Sequence, residues 1–241
     1  MRAEHAVYAA ASVATVYGAL SDREWVQQVA KPLIGPSLAV RAVRSGDWLL
    51  VGSLAAATVG DILLIEPDDD RRLTRGALSF AGMQSGYAIA LWRRGARPTT
   101  PALAPRIVGW LGASVLLRAR ARAVAPTLTG YGVTLAVATT LASDPTLAPE
   151  SSVVGGLAVP GADRRSWLGL GALLFTVSDA LIVVRRVLLR SSRAKRYAEG
   201  VILATYAAAQ GLLVEGMLAQ AVDERVPPVR AGHQVSNLVE E

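Results

Sequence analysis

Asp61 and Asp179 are the side chains best placed to do chemistry, because each lies within a long apolar stretch where a carboxyl group is costly. An ionisable side chain at a bilayer centre costs about 2.5–3.5 kcal/mol on insertion scales, so it persists only with a partner or a task. Lys31 is a third such residue. The two aspartates share a local pattern: Thr58-Val-Gly-Asp61-Ile-Leu-Leu-Ile resembles Thr176-Val-Ser-Asp179-Ala-Leu-Ile-Val. Paired carboxyl groups of this kind can divide acid and base roles between them, or bind a proton or cation. Gln84, Tyr87, Tyr131, Ser178, Tyr206 and Gln210 are polar companions within the apolar runs, each of which taken singly could simply glue helices together.

The elements that must position these groups are helices of bilayer length. Hydrophobic residues make up 52% of the chain and charged residues 18%, a balance that favours a membrane protein over one or two soluble domains. The 25 Lys and Arg fall mostly outside the apolar runs, in clusters such as Arg71-Arg72, Arg93-Arg94, Arg118-Ala-Arg120-Ala-Arg122 and Arg185-Arg186, where they would meet lipid headgroups. Nucleic-acid binding is excluded as a reading, since that would gather the cations on one soluble face with stacking aromatics between them. There is no cysteine, and the two histidines, His5 and His233, lie near the ends. Thiol nucleophiles, Ser-His-Asp triads and histidine-rich metal centres are therefore ruled out. No cofactor is expected. Two carboxylates argue against a tight transition-metal site and leave a loosely held magnesium or calcium ion open.

The apolar runs predict an all-α, polytopic integral membrane bundle of about eight transmembrane helices, near 6–20, 26–40, 47–65, 73–92, 103–117, 126–142, 166–184 and 197–218. Residues 1–220 form the membrane-embedded domain, and 221–241 read as a polar, disordered tail. A retained first helix is favoured over a cleaved signal peptide, because Glu4 interrupts the leading basic region. Lys31-Pro32 and Pro36 are expected to break the second helix. The stretch from Asp144 to Arg165, with three prolines and paired glycines, reads as a surface loop. Lysine and arginine are slightly more numerous in loops one, three, five and seven than on the side of the termini, which leans toward non-cytoplasmic termini.

Eight alternating spans place Asp61 and Asp179 in the second halves of two parallel helices, so both approach one face of the bundle. Lys31, early in the second span, and Glu199, at the start of the eighth, could face the same side. Gly76, Phe80, Gln84 and Tyr87 fall on one helical stripe suited to the bundle interior. The shared Thr-Val-x-Asp pattern, four helices apart, would fit two parallel four-helix halves.

In Lys31-Pro32-Leu33, Gly60-Asp61 with Leu63-Leu64, the spaced Gly76, Phe80 and Tyr87, Tyr131, Gly171-Ala-Leu-Leu-Phe175-Thr-Val-Ser178-Asp179, and Tyr206 with Ala209-Gln210, the sequence resembles the YhhN family over most of its length. The resemblance implies a lysoplasmalogenase, a multi-pass cell-membrane hydrolase that cleaves the vinyl ether of a lysoplasmalogen to a fatty aldehyde and glycerophosphoethanolamine or glycerophosphocholine. It implies catalytic roles for Asp61 and Asp179. Where the family usually carries histidine before the Tyr87 position, this chain has Gln84, which can hydrogen-bond but cannot carry a proton at neutral pH.

That chemistry suits two carboxyl groups: one, protonated, would protonate a vinyl carbon, and an ionised partner would stabilise the oxocarbenium ion and activate water. Lys31 or a loop arginine would hold the phosphate of the lysophospholipid substrate, and Gln84, Tyr87, Tyr131, Ser178, Tyr206 and Gln210 would contact the substrate. Membrane lipids are the other expected partners, nucleic acid is not one, and the oligomeric state stays open. The rival is a small transporter or lipid-binding membrane protein using the same carboxylates. A purely structural scaffold leaves the costly aspartates unexplained.

Overall fold

The computed structural model describes residues 3–66 and 68–223. The C-terminal tail expected at 221–241 lies almost wholly outside them. Among the described residues there are nine α-helices: α1 (Ala3–Leu20), α2 (Glu24–Ala30), α3 (Ile34–Ser45), α4 (Trp48–Leu63), α5 (Asp70–Arg93), α6 (Thr100–Arg120), α7 (Ala125–Ala142), α8 (Trp167–Val187) and α9 (Ser192–Asp223). α2 and α3 together form the second expected segment, joined by a 3-10 turn at Lys31–Leu33. Pro32 sits in that turn, as its missing N–H requires, whereas Pro36 lies in the first turn of α3 and interrupts nothing.

The helices extend past the apolar runs at most ends, except α4, which at Trp48–Leu63 is shorter than the expected 47–65. Asp47 accepts the Leu50 N–H at the start of α4, and Asp69 accepts the N–H groups of Arg71 and Arg72 at the start of α5. α9 begins in Ser192-Arg-Ala-Lys-Arg and runs for 32 residues, roughly 48 Å. Between α7 and α8 the expected loop carries a short hairpin, β1 (Val153–Val154) and β2 (Leu157–Ala158), with Val153 opposite Ala158. Its turn residues, Gly155 and Gly156, have φ of 61° and 83°, which a two-residue hairpin turn needs and side-chain-bearing residues resist.

The core lies where α4, α5, α8 and α9 meet, around Leu50, Leu54, Met83, Phe175, Val214 and Met217. Small residues let these helices approach closely. A Cβ on Gly60 would stand 2.7 Å from the Phe80 ring, and one on Gly171 would press on Leu213 at 3.0 Å. α1 packs on α9, where the Tyr8 hydroxyl donates to the Ala207 carbonyl.

α6 stands at the periphery. It leans mainly on α7, and its Ile107, Val108, Leu111 and Val115 form an exposed apolar face. Three segments are long and apolar enough to cross a membrane: Thr100–Arg120, Arg164–Val187 and Ser192–Ala221. Trp48–Leu63 is a shorter apolar helix. The chain is thus an all-α membrane protein.

Candidate functional site

A cavity of about 220 Å³ opens between the α4–α5–α9 core and the outlying α6–α7 pair, with α8 forming one wall. Both aspartates line it. So do Lys31, Glu199, Tyr131, Ser178 and Tyr206, from the 3-10 turn and three different helices. Most of the remaining wall is apolar, including Phe80, Phe175, Leu135 and Trp110.

Asp61 occupies the last turn of α4 and is 1% exposed. Its Oδ2 accepts the Tyr206 hydroxyl at 2.8 Å, while its Oδ1 is buried without a hydrogen-bond partner. Tyr206 is held from both sides by the edges of Phe80 and Phe175, each ring centroid 5.7 Å away. Behind it, Gln210 Nε2 donates to the Tyr206 hydroxyl at 3.2 Å, and the Tyr87 hydroxyl donates to Gln210 Oε1 at 2.8 Å. These three side chains form one oriented chain ending on Asp61, in which each bond polarises the next. Lys31 Nζ donates to the Leu64 carbonyl at 3.0 Å, which caps the C-terminal end of α4 and brings a positive charge to the turn that carries Asp61.

Asp179 lies in the middle of α8, eight residues before its end, and is half-buried. The Tyr131 hydroxyl donates to its Oδ2. One residue earlier, the Ser178 hydroxyl donates to the Ile202 carbonyl at 3.0 Å, tying α8 to α9 at cavity level.

Three of the residues expected to touch substrate stand elsewhere. Tyr87 and Gln210 are buried in the layer behind Tyr206 and do not line the cavity. Gln84 is 1% exposed and lies beside Tyr131, away from the cavity wall. The reason is helical phase: Gln84 and Tyr87 share the buried stripe of α5 with Phe80, but only the Phe80 end of that stripe reaches the cavity.

The cavity mouth at the ends of α4, α8 and α9 is fixed by ion pairs. Arg185 bonds Asp68 at 2.9 Å and Glu199 at 3.0 Å, and Arg186 pairs with Asp70. Partial burial acts to raise the Asp68 carboxyl, but the hydrogen bond and charge of Arg185, with Lys195 and Arg186 nearby, hold it below the usual carboxylate range.

Arg106 lines the far end. It donates to Thr139 Oγ1 at 2.8 Å, Ser143 Oγ at 2.7 Å and the Ala102 carbonyl at 2.6 Å, a neutral cradle that supplies the bonds a half-buried guanidinium needs. Among the described residues, no three carboxylate, histidine or cysteine side chains converge as a metal site would require.

No curated protein and no solved structure matches the chain. The model of the YhhN family matches residues 26–217, from α2 into the last third of α9, taking in every cavity element described above. The chain belongs to the YhhN family.

Proposed function

We propose that this protein is a lysoplasmalogenase-like hydrolase, crossing the membrane with eight helical segments and cleaving the vinyl ether of a lysophospholipid with Asp61 and Asp179. The observation that carries the proposal is the opening of both aspartates on one apolar cavity, each with a tyrosine hydroxyl donating to it.

The reaction needs a proton on carbon, shelter for a cation and a water. Protonation of the outer vinyl carbon gives an oxocarbenium ion; water adds to the carbon next to oxygen, and the hemiacetal collapses to an aldehyde and the free glycerol hydroxyl. One carboxyl group must start protonated and the other ionised. Lys31 lies on the turn that carries Asp61, so Asp61 is assigned as the ionised partner and Asp179 as the acid. Asp61 would face the cationic carbon with Oδ1, its unpartnered oxygen, while Tyr206 holds Oδ2. Tyr131 would hold the Asp179 carboxyl in register and hydrogen-bond the ether oxygen as it leaves. The thinly packed α6 side offers the alkyl chain a lateral way in from lipid.

The test is mass spectrometry of products after detergent-purified protein is incubated with a 1-alkenyl lysophospholipid. Stoichiometric fatty aldehyde and glycerophosphoethanolamine, or glycerophosphocholine, are expected. Intact substrate at high protein concentration would overturn the hydrolase reading and favour the transporter.

A further inference from the structure

A second pocket adjoins the mouth of the cavity, and Arg186 lines both. It has a volume of about 460 Å³ and is walled by Arg120 at the end of α6, Arg122 from the α6–α7 connection, Arg186 from α8 and Lys195 from α9, together with Asp68 and Asp70. The two carboxylates are already committed. Asp68 pairs with Arg185 and Asp70 with Arg186. Among the described residues, Arg120, Arg122 and Lys195 make no salt bridge within 4 Å, and Lys195 acts on Asp68 only from nearby, so the pocket sets four cations against two carboxylates and keeps a net positive charge. Like charges brought together repel, and the arrangement is stabilised when an anion sits between them.

We propose that this pocket is the phosphate subsite, taking the phosphodiester of a lysophospholipid headgroup on Arg122, Lys195 and Arg120. The identity of the ligand rests on the hydrolase reading above. Asp179 and Arg186 are seven residues apart on α8, about 10 Å and close to the same helix face. In a lysoplasmalogen seven bonds separate the outer vinyl carbon, the one Asp179 would protonate, from phosphorus, roughly 8 Å when extended. The two lengths agree to within about 2 Å. The alkyl chain would then run away from the charged pocket along the apolar wall of Gly109, Trp110 and Leu135. The substrate is thus held with its charged end in one pocket and its reacting bond between the aspartates.

Binding of two non-cleavable probes to the full chain in detergent tests this: a saturated 1-O-alkyl lysophospholipid and the 1-O-alkylglycerol of the same chain length. Wild type should bind the phosphate-bearing probe at least about tenfold more tightly, the value of one charge-assisted contact. Arg122→Gln with Lys195→Gln should bring the two probes within about twofold, leave alkylglycerol binding unchanged, and so report a folded cavity. Arg120→Gln alone should give a smaller loss of the same kind, and Arg122→Lys should retain most of the preference. No preference in wild type, or a preference that survives the double variant, would overturn the subsite. Equal displacement of both probes by inorganic phosphate alone would assign the pocket to free phosphate and overturn the headgroup assignment. If aldehyde release fails while the probe preference holds, the hydrolase reading falls and the phosphate subsite stands.

Discussion

The surroundings of the two aspartates differ although their local sequences match. In both, the threonine three residues earlier bonds back to the carbonyl four residues before it, Thr58 to Leu54 and Thr176 to Ala172, so the helices present the carboxyl groups in the same way. What differs is the packing outside the helix. Asp61 sits in the tight α4–α5–α9 core, fully buried, backed by the Tyr206–Gln210–Tyr87 chain and beside Lys31. Asp179 faces the loosely packed α6–α7 side and has one tyrosine partner. Repetition of a motif therefore sets the angle of a carboxyl group on its helix, while non-repeated neighbours set its charge environment. An acid and its ionised partner can arise from one Thr-Val-x-Asp motif in this way.

Tyrosine replacement sharpens that contrast most. Tyr206→Phe strips Asp61 of its donor and leaves the Gln210 amide facing a carbon, deep in the core, and should lower stability by about 2–3 kcal/mol. Tyr131→Phe, beside a half-buried carboxylate open to the cavity, should cost below about 1 kcal/mol. Thermal unfolding in detergent reads both, and equal losses would break the comparison. Packing gives a second, smaller contrast. Gly60→Ala drives a methyl group into the Phe80 ring and should cost about 1–2 kcal/mol, whereas Gly109→Ala on α6 meets nothing within 4 Å and should leave the unfolding temperature unchanged or raise it. The smallest effect lies at the mouth. Because the Asp68 carboxyl is held below its ordinary value, the stability it lends is complete above about pH 4 and fades only as pH falls through the lower folded value. Asp68→Asn should therefore destabilise slightly at pH 6 and not at all at pH 2, as acid-unfolding curves would show.

Much of this arrangement is legible in the sequence. Apolar runs and their arginine-rich ends mark the helices, and the cost of a carboxyl group in lipid singles out Asp61 and Asp179. The expected boundaries fall short at several helix ends because a hydropathy reading stops at charge, whereas the Asp69 cap of α5 and the Arg-Lys turn of α9 carry those helices further. The polar companions are harder to place. Tyr87 and Gln210 lie on interior stripes, which the helical period reveals, but an interior stripe can face a cavity or the layer behind it. Which tyrosine meets which aspartate depends on the order of helices around the bundle, and so does the second pocket. Residue spacing along one chain does not encode that order. Arg106 shows the same limit: its cradle comes from the following helix, α7, and its immediate end.

The central claim is that Asp61 and Asp179 serve one reaction in one cavity. The decisive measurement is kcat/KM for aldehyde release by Asp61→Asn, Asp179→Asn and the double variant, each checked for folding by its unfolding temperature. Each single substitution should lower kcat/KM by about 10²–10⁴-fold, and the double should be no worse than the weaker single, because groups that act as a unit lose their contribution once. Losses that multiply in the double variant, or near-normal turnover in either single one, would contradict it.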